Sequence, residues 1–271
     1  MDKQRTVKKE VAFEGVGLHS GQHTKVVIEP AEADKGISFL FNGKLLPLAE
    51  GEIVRDDRRS ILRWGKEEIS TVEHLLASLA GLEVDNAILR LSAPEPPALD
   101  GSAKEFVEGI KKSGIIELNA LRKTLFISRP EIIKGKGNFI LALPSQNFRI
   151  SYILDYVHPM VGKQFLDWYF SVESFCNEIA PARTFALEEE LEAIFTAGYA
   201  KGGSLDNAVV VYKDRYSSPL RFSDEFVRHK ILDLIGDLAL VGCSVRGHFI
   251  VYRGGHRLNQ GLVNKLRKML S

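Results

Sequence analysis

The stretch "FVRHKILDLIGD" (residues 226–237) places three ionisable side chains at intervals of four residues in an otherwise apolar segment. His229, Asp233 and Asp237 would lie on one side of a helix, because residues i and i+4 share a helical face. A histidine and a carboxylate in this arrangement can bind one metal ion. The same H-x-x-x-D pattern also suits a surface ion pair or a histidine satisfied in the core, so the motif alone leaves both interpretations open.

A third metal ligand and a base are offered by "VEH", at the start of a second helical stretch, residues 72–80. Catalytic zinc sites take three protein ligands and keep one position for water. His74 would complete such a set, and Glu73 beside it could take a proton from the metal-bound water. Glu73 also follows Ser70 at the spacing of a capping box, which is the structural alternative.

Four further polar residues have both a chemical and a structural interpretation. His256 in "RGGHRLN" could protonate a leaving amine while Asp237 holds its other ring nitrogen, or it could be a solvated loop residue. Thr184 in "ARTFALE" could cap a helix or donate to a developing oxyanion. Lys230 is either solvated or, beside a metal, suited to a phosphate. His19 in the turn "GVGLHSG" could face ligand or solvent, and no strand–turn–helix unit makes this turn a dinucleotide site.

The elements that would position these residues alternate between strands and helices along the chain. Apolar residues at period two indicate strands in "TVKKEVAFEGVGL", "HTKVVIEPA", "KTLFISRPEIIKG" and "FRISYILDY". Because the strand pattern restarts near residue 120, the sequence predicts two α+β domains, 1–120 and 121–271. Within them "VEHLLASLAGLEVDNAILRL" aligns with "VRHKILDLIGDLALVGCSVRGHFIVY", which suggests an internal repeat.

Composition argues against several function classes. Of 271 residues, 45% are hydrophobic and 26% charged, and the net charge of +1 creates no global field for nucleic acid or membrane. A nucleic-acid-binding α+β module is therefore the disfavoured, non-enzymatic alternative. No apolar run reaches the ~20 residues of a membrane helix, and the charged N-terminus lacks a signal-peptide core, so a cytoplasmic location is expected. Cys176 and Cys243 are interpreted as buried thiols.

Together these motifs make the chain resemble the UDP-3-O-acyl-N-acetylglucosamine deacetylases, the zinc amidases of the lipid A pathway. The matching segments follow the family's order over almost the whole chain: "GVGLHSG", "ISTVEHLLASLAGLEVDNAIL", "PALDGSA", "ARTFALE", "GGSLDNAVV", "RFSDEFVRHKILDLIGDLAL" and "GGH". The resemblance implies two similar domains, each a β-sheet layered with α-helices, with the helices sandwiched between the two sheets. One segment, "VRDDRRSILRWGKEE", is more charged than expected for the family.

The resemblance also implies a cofactor and a mechanism. One catalytic Zn²⁺ per chain would be held by His74, His229 and Asp233, with Fe²⁺ as the alternative native metal. Glu73 would be the general base for the metal-bound water. The remaining roles implied are hydrogen bonding to the oxyanion by Thr184, positioning of His256 by Asp237, and protonation of the leaving amine by His256 or Glu73.

The substrate implied by the resemblance is a small molecule, an acylated UDP-N-acetylglucosamine that loses its N-acetyl group. Lys230 would contact its diphosphate or sugar, and His19 would also bind substrate. The family carries a β-α-β insert that forms a channel for the acyl chain, and residues 185–210 correspond to it. Candidate lining residues of that channel are Phe185, Leu191 and Leu18, for which ordinary core packing is the alternative. A zinc amidase for another N-acyl sugar nucleotide is the alternative within the same class.

Overall fold

The structure is a computed structural model that describes residues 2–270. The first half contains strands β1 (Lys3–Val7), β2 (Val11–Val16), β3 (His23–Pro30), β4 (Ile37–Phe41), β5 (Lys44–Pro47), β6 (Glu52–Val54), β7 (Ile61–Trp64), β8 (Glu67–Ser70), β9 (Ala87–Leu91) and β10 (Ile115–Leu121), and helices α1 (Glu73–Gly81) and α2 (Lys104–Ser113). The second half contains β11 (Thr124–Phe126), β12 (Glu131–Lys134), β13 (Phe139–Leu143), β14 (Phe148–Asp155), β15 (Lys163–Tyr169), β16 (Phe185–Leu187), β17 (Val209–Val211) and β18 (Ser244–Tyr252), and helices α3 (Val172–Ser174), α4 (Leu191–Thr196), α5 (Glu225–Ala239) and α6 (His256–Leu270).

Two central sheets share one topology. The first has the strand order β2-β3-β9-β4-β5 and the second β12-β13-β18-β14-β15, with β11 added beside β18. The middle strand of each sheet, β9 or β18, is antiparallel to one neighbour and parallel to the other, in the same sense. Helix α1 precedes β9 as α5 precedes β18, and α2 and α6 follow them. The predicted internal repeat is therefore confirmed, with α1 and α5 in equivalent places.

In both central sheets, alternating side chains along the strands create one buried face. In β3 the side chains of Thr24, Val26 and Ile28 are buried, whereas Lys25 between them is exposed. Strand β18 alternates in the same way over its whole length. Full burial of a Val, Leu or Ile side chain contributes roughly 1.5–3 kcal/mol, so these faces hold the sheets onto the helix layer.

The proposed division of the chain between residues 120 and 121 falls at the end of strand β10.

Helices α1 and α5 pack directly against each other between the two halves. A methyl group added at Gly236 of α5 would lie far inside van der Waals distance of the backbone carbonyl of Glu73 in α1. Almost all of α5 is buried, including His229, Asp233 and Asp237. The hydrophobic core runs through this helix pair into both sheets. The α+β fold with central helices is thus the one expected.

Three local predictions from sequence were wrong or incomplete. Helix α1 begins at Glu73 with Val72 as its N-cap and no side-chain cap, because Ser70 ends strand β8, so the capping box does not form. Thr184 does not cap a helix, since the residues after it form strand β16. The cysteines are free thiols that are half-buried rather than fully buried: Cys176 and Cys243.

In the part of the chain that the structure describes, no helix combines the length and apolar character needed to span a bilayer.

Candidate metal centre

Helices α1 and α5 bring three metal-ligating side chains together. Ligand atoms of His74, His229 and Asp233 all lie within 4.8 Å of one another. Asp233 Oδ1 is 3.4 Å from His74 Nε2 and 3.3 Å from His229 Nε2. Two nitrogens and one oxygen form a donor set of the kind found in catalytic zinc sites, and here both halves of the chain contribute to it.

The ring orientation of His229 is set by a backbone hydrogen bond. Its Nδ1 lies 3.1 Å from the carbonyl oxygen of Ala182. A carbonyl can only accept, so Nδ1 carries the proton and the lone pair of Nε2 points toward Asp233 and His74. Outer contacts of this kind fix the tautomer of a histidine that binds metal. The ring therefore suits a metal ion before one is bound.

Charge within the ligand set also suits a divalent cation. Burial lowers the pKa of His229 to about 3, so this imidazole is neutral and free to coordinate. Burial by itself would raise the pKa of Asp233, but His229, Lys230 and His74 hold it well below its usual range. The Lys230 ammonium donates to Asp233 Oδ2 at 2.9 Å. Burial opposes the charge of Lys230, yet Asp233 raises its pKa.

Glu73 and His256 lie beside the three ligands. Glu73 is buried, and its Oε2 accepts a hydrogen bond of 3.1 Å from the backbone N–H of Ser60. Burial raises the pKa of Glu73, which makes it a stronger base. Nε2 of His256 lies 4.0 Å from Glu73 Oε1 and 3.8 Å from Asp233 Oδ2. Two side chains that can carry a proton thus lie beside the candidate metal ligands.

Asp237 holds the other nitrogen of His256, as the sequence predicted. Its Oδ2 accepts from His256 Nδ1 at 2.9 Å and from Asn259 Nδ2 at 2.7 Å, and its Oδ1 accepts from the Ser60 hydroxyl. Burial alone would lower the pKa of His256, but the carboxylates of Asp237, Asp233 and Glu73 raise it to about 10. The imidazole therefore keeps a proton on Nε2 to donate.

The segment after Ala182 runs alongside the metal ligands. Thr184 is fixed by its backbone, which donates to the carbonyl of Gly101 at 2.8 Å and accepts from Val209. Phe185 packs on Phe226 and reaches the ring of His229, with centroids 6.4 Å apart. The ammonium of Lys230 lies 5.6 Å from the centre of the same phenyl ring. Thr184 as an oxyanion donor stays a prediction.

The region that corresponds to the acyl-channel insert has the expected shape. Strands β16 and β17 pair in parallel with α4 between them, so residues 185–211 form a β-α-β unit. His19 Nδ1 accepts from the backbone of Ala200 at 3.1 Å, and burial lowers its pKa to about 4, so a neutral His19 joins the unit to the glycine-rich turn. The carbonyl of Leu18 accepts a hydrogen bond from the backbone N–H of Gly202 in the β-α-β unit, and Leu191 is the first residue of α4. Binding of an acyl chain by Phe185, Leu191 and Leu18 stays a prediction.

Two polar residues of the centre were missed in the sequence. Asn259 is one turn from His256 on α6, a spacing that could have drawn attention to it. Ser60 gave no comparable signal, because it lies in a charged loop 177 residues before the carboxylate it contacts.

Comparisons with known proteins find relatives that match nearly the whole chain. A family profile described as UDP-3-O-acyl N-acetylglycosamine deacetylase matches residues 4–268. A UDP-3-O-acyl-N-acetylglucosamine deacetylase of Nitratidesulfovibrio vulgaris is 41% identical over 277 residues, covering 99% of this chain and 89% of the relative. Proteins of the same name from Saccharophagus degradans and Nostoc sp. are 42% and 41% identical, covering 99% and 97% of this chain and 91% and 98% of the relatives.

Proposed function

The chain belongs to the UDP-3-O-acyl N-acetylglycosamine deacetylase family, and on that premise we propose that it hydrolyses the N-acetyl group of UDP-3-O-acyl-N-acetylglucosamine. The products are UDP-3-O-acyl-glucosamine and acetate, an early committed step of lipid A biosynthesis. The enzyme is a deacetylase that acts on a linear amide. A cytoplasmic location, as expected from the sequence, belongs to the same proposal.

The observation that carries the mechanism is the convergence of His74, His229 and Asp233 beside Glu73 and His256. The three ligands would hold one Zn²⁺ per chain, with Fe²⁺ as the alternative native metal. A zinc ion held by these residues would supply Lewis acidity toward the acetyl carbonyl and the attacking water. Two imidazoles and one carboxylate are ligand types that zinc prefers, so the residues present fit the ion.

The protein's own groups then move the protons. Glu73, whose pKa burial raises, takes the proton of the attacking water. Thr184 donates a hydrogen bond to the acetyl oxygen as negative charge develops there. His256 donates from Nε2 to the leaving 2-amine, because its Nδ1 is held by Asp237. Glu73, once protonated, is the alternative donor for that step.

Substrate recognition is assigned to the surroundings of the metal ligands. Lys230, whose side chain lies beside Asp233 and the ring of Phe185, would contact the diphosphate or sugar. The β-α-β unit, together with the glycine-rich turn held on it by His19, would receive the acyl chain. Leu18, Phe185 and Leu191 are the apolar residues proposed to line that channel.

The proposal is tested by product analysis on two substrates, one acylated at the 3-hydroxyl and one not. We expect the zinc-loaded protein to release acetate from UDP-3-O-acyl-N-acetylglucosamine with much higher kcat/KM than from UDP-N-acetylglucosamine, because only the acylated sugar fills the channel. Equal kcat/KM on both substrates would instead favour an amidase for another N-acyl sugar nucleotide. If neither substrate releases acetate, the deacetylase assignment is contradicted.

A further inference from the structure

Ser60 contacts two carboxylates of the centre, Glu73 and Asp237, although it is itself neither a proposed ligand nor the proposed base. The residue is fully buried. Its hydroxyl donates to Asp237 Oδ1, and its backbone N–H donates to Glu73 Oε2 at 3.1 Å. One residue of the first half therefore holds a carboxylate of each half.

The hydroxyl bond bears directly on the orientation of His256. Asp237 is completely buried and accepts from Ser60 on one oxygen and from His256 and Asn259 on the other. A buried carboxylate that loses one donor either turns toward another or keeps an unpaired oxygen, which is costly. Either response shifts the bond that sets the imidazole plane of His256.

Ser60 is itself held from two directions. Gln260, one turn after His256 on α6, donates to the backbone carbonyls of Asp56 and Arg59, each at 3.2 Å. The Asp56 carboxylate accepts from the hydroxyl of Tyr199, which follows α4, at 3.0 Å. The loop of residues 55–60, which the sequence marked as unusually charged, is thus fastened both to the helix that carries His256 and to the β-α-β unit.

We infer that Ser60 is a positioning residue for the deacetylation, orienting the Asp237–His256 pair through its hydroxyl and Glu73 through its backbone N–H. This inference rests on the proposed function. Outer-sphere partners of this kind typically change activity by 10- to 100-fold when removed. The effect falls on kcat rather than KM, because Ser60 contacts Glu73 and the carboxylate that holds His256, and none of the residues assigned to substrate binding.

The kinetic test compares Ser60→Ala in two backgrounds. The substitution keeps the backbone N–H to Glu73 and removes only the hydroxyl. We expect kcat to fall by about 10-fold or more, with KM and zinc content close to those of the wild type. In an Asp237→Ala background the same substitution should change kcat less than about twofold, because interacting residues are not additive. The matched control is Ser78→Ala, another fully buried serine whose hydroxyl donates to the carbonyl of Leu75 at 2.6 Å, and it should keep wild-type kcat.

Two results would overturn the inference. One is an unchanged kcat in Ser60→Ala, and the other is an equal loss in the presence and absence of the Asp237 carboxylate. If Ser60→Ala does not fold, Ser60→Cys takes its place, because the thiol is similar in size but a weaker donor, and a severalfold loss is expected.

A measurement on the metal-free protein separates this inference from the proposed function. The Nδ1 proton of His256 can be followed by NMR and assigned by its loss in His256→Ala. We expect its resonance to shift in Ser60→Ala and to stay in place in Ser78→Ala, whatever the substrate of the enzyme proves to be. An unmoved resonance in Ser60→Ala would show that the hydroxyl does not orient the pair.

Discussion

At the scale of single residues, the surroundings of Glu73 and His256 give each the proton affinity that its proposed role requires. Burial raises the pKa of Glu73, so its carboxylate holds a captured proton more firmly than an exposed one. Burial alone would lower the pKa of His256, but the nearby carboxylates of Asp237, Asp233 and Glu73 outweigh burial and raise this pKa to about 10. These environments favour Glu73 as the base and His256 as the proton donor.

Removing the Glu73 carboxylate should stop proton abstraction without emptying the metal centre. Glu73→Ala is expected to lower kcat by about 10²- to 10⁴-fold, the usual contribution of a general base. Zinc content, measured by elemental analysis, should stay near one ion per chain, because His74, His229 and Asp233 are untouched. Glu73→Gln, which preserves the side-chain shape, should lose a similar amount. A Glu73→Ala enzyme with near-full turnover would rule out this base.

Residues of the centre that lie close together in the sequence could be predicted from their spacing, whereas contacts between distant parts of the chain could not. His229, Asp233 and Asp237 were predictable because helical spacing alone places them on one face. His74 required the internal repeat, which the matching sheet orders confirm. Ser60 was not predictable, since its bond to Asp237 depends on how a loop of one half packs on a helix of the other.

At the scale of elements, the contact between α1 and α5 sets the distance between the ligands. The two backbones meet where Gly236 faces the carbonyl of Glu73. Glu73 directly precedes His74 in α1, and Gly236 follows Asp233 by three residues in α5. Glycine is needed there because any side chain would strike backbone atoms, which cannot move aside by a change of rotamer. The sequence indicated both helices, but the start of α1 was misjudged because its cap is not a side chain.

Gly236→Ala should force the two helices apart. Helix propensity favours alanine by about 1 kcal/mol, but overpacking typically costs about 1–3 kcal/mol, and a clash with backbone lies at the upper end. We therefore expect a net loss of about 1–2 kcal/mol in the free energy of unfolding together with lower zinc affinity. Urea denaturation and zinc titration measure the two effects.

The matched control for this prediction is Gly261→Ala in α6. There the new methyl group would approach only the side-chain end of Ile133, at 3.2 Å. A flexible neighbour can yield, so stability and zinc affinity should stay close to wild type. Equal behaviour of the two alanine variants would show that the α1–α5 contact does not control the metal centre.

At the scale of the whole molecule, two similar halves share one site. The first half supplies His74 and Glu73, and the second supplies His229, Asp233 and His256. The duplication explains why equivalent helices meet at the centre, while the ligand sets of the two helices differ. A metal ion bound at this place would connect the halves in addition to the core that passes between them.

Zinc binding should consequently stabilise the folded chain as a whole. At free zinc 100-fold above its Kd, a ligand that binds only the native state adds about 2.7 kcal/mol. We expect scanning calorimetry to show a Tm that rises on zinc loading and falls on chelation. His74→Ala and His229→Ala, one from each half, should both lose most of the shift. A Tm that does not depend on zinc in the wild type would contradict a site shared by the two halves.

We propose that His74, His229 and Asp233, at the junction of the two halves, hold the metal that the deacetylation requires. Acetate release from UDP-3-O-acyl-N-acetylglucosamine, measured before chelation, after chelation and after addition of one equivalent of zinc, tests it most directly. We expect one acetate per free amine formed, loss of release in the chelated protein, and recovery with one zinc per chain. Undiminished release from protein shown to contain no metal would contradict it.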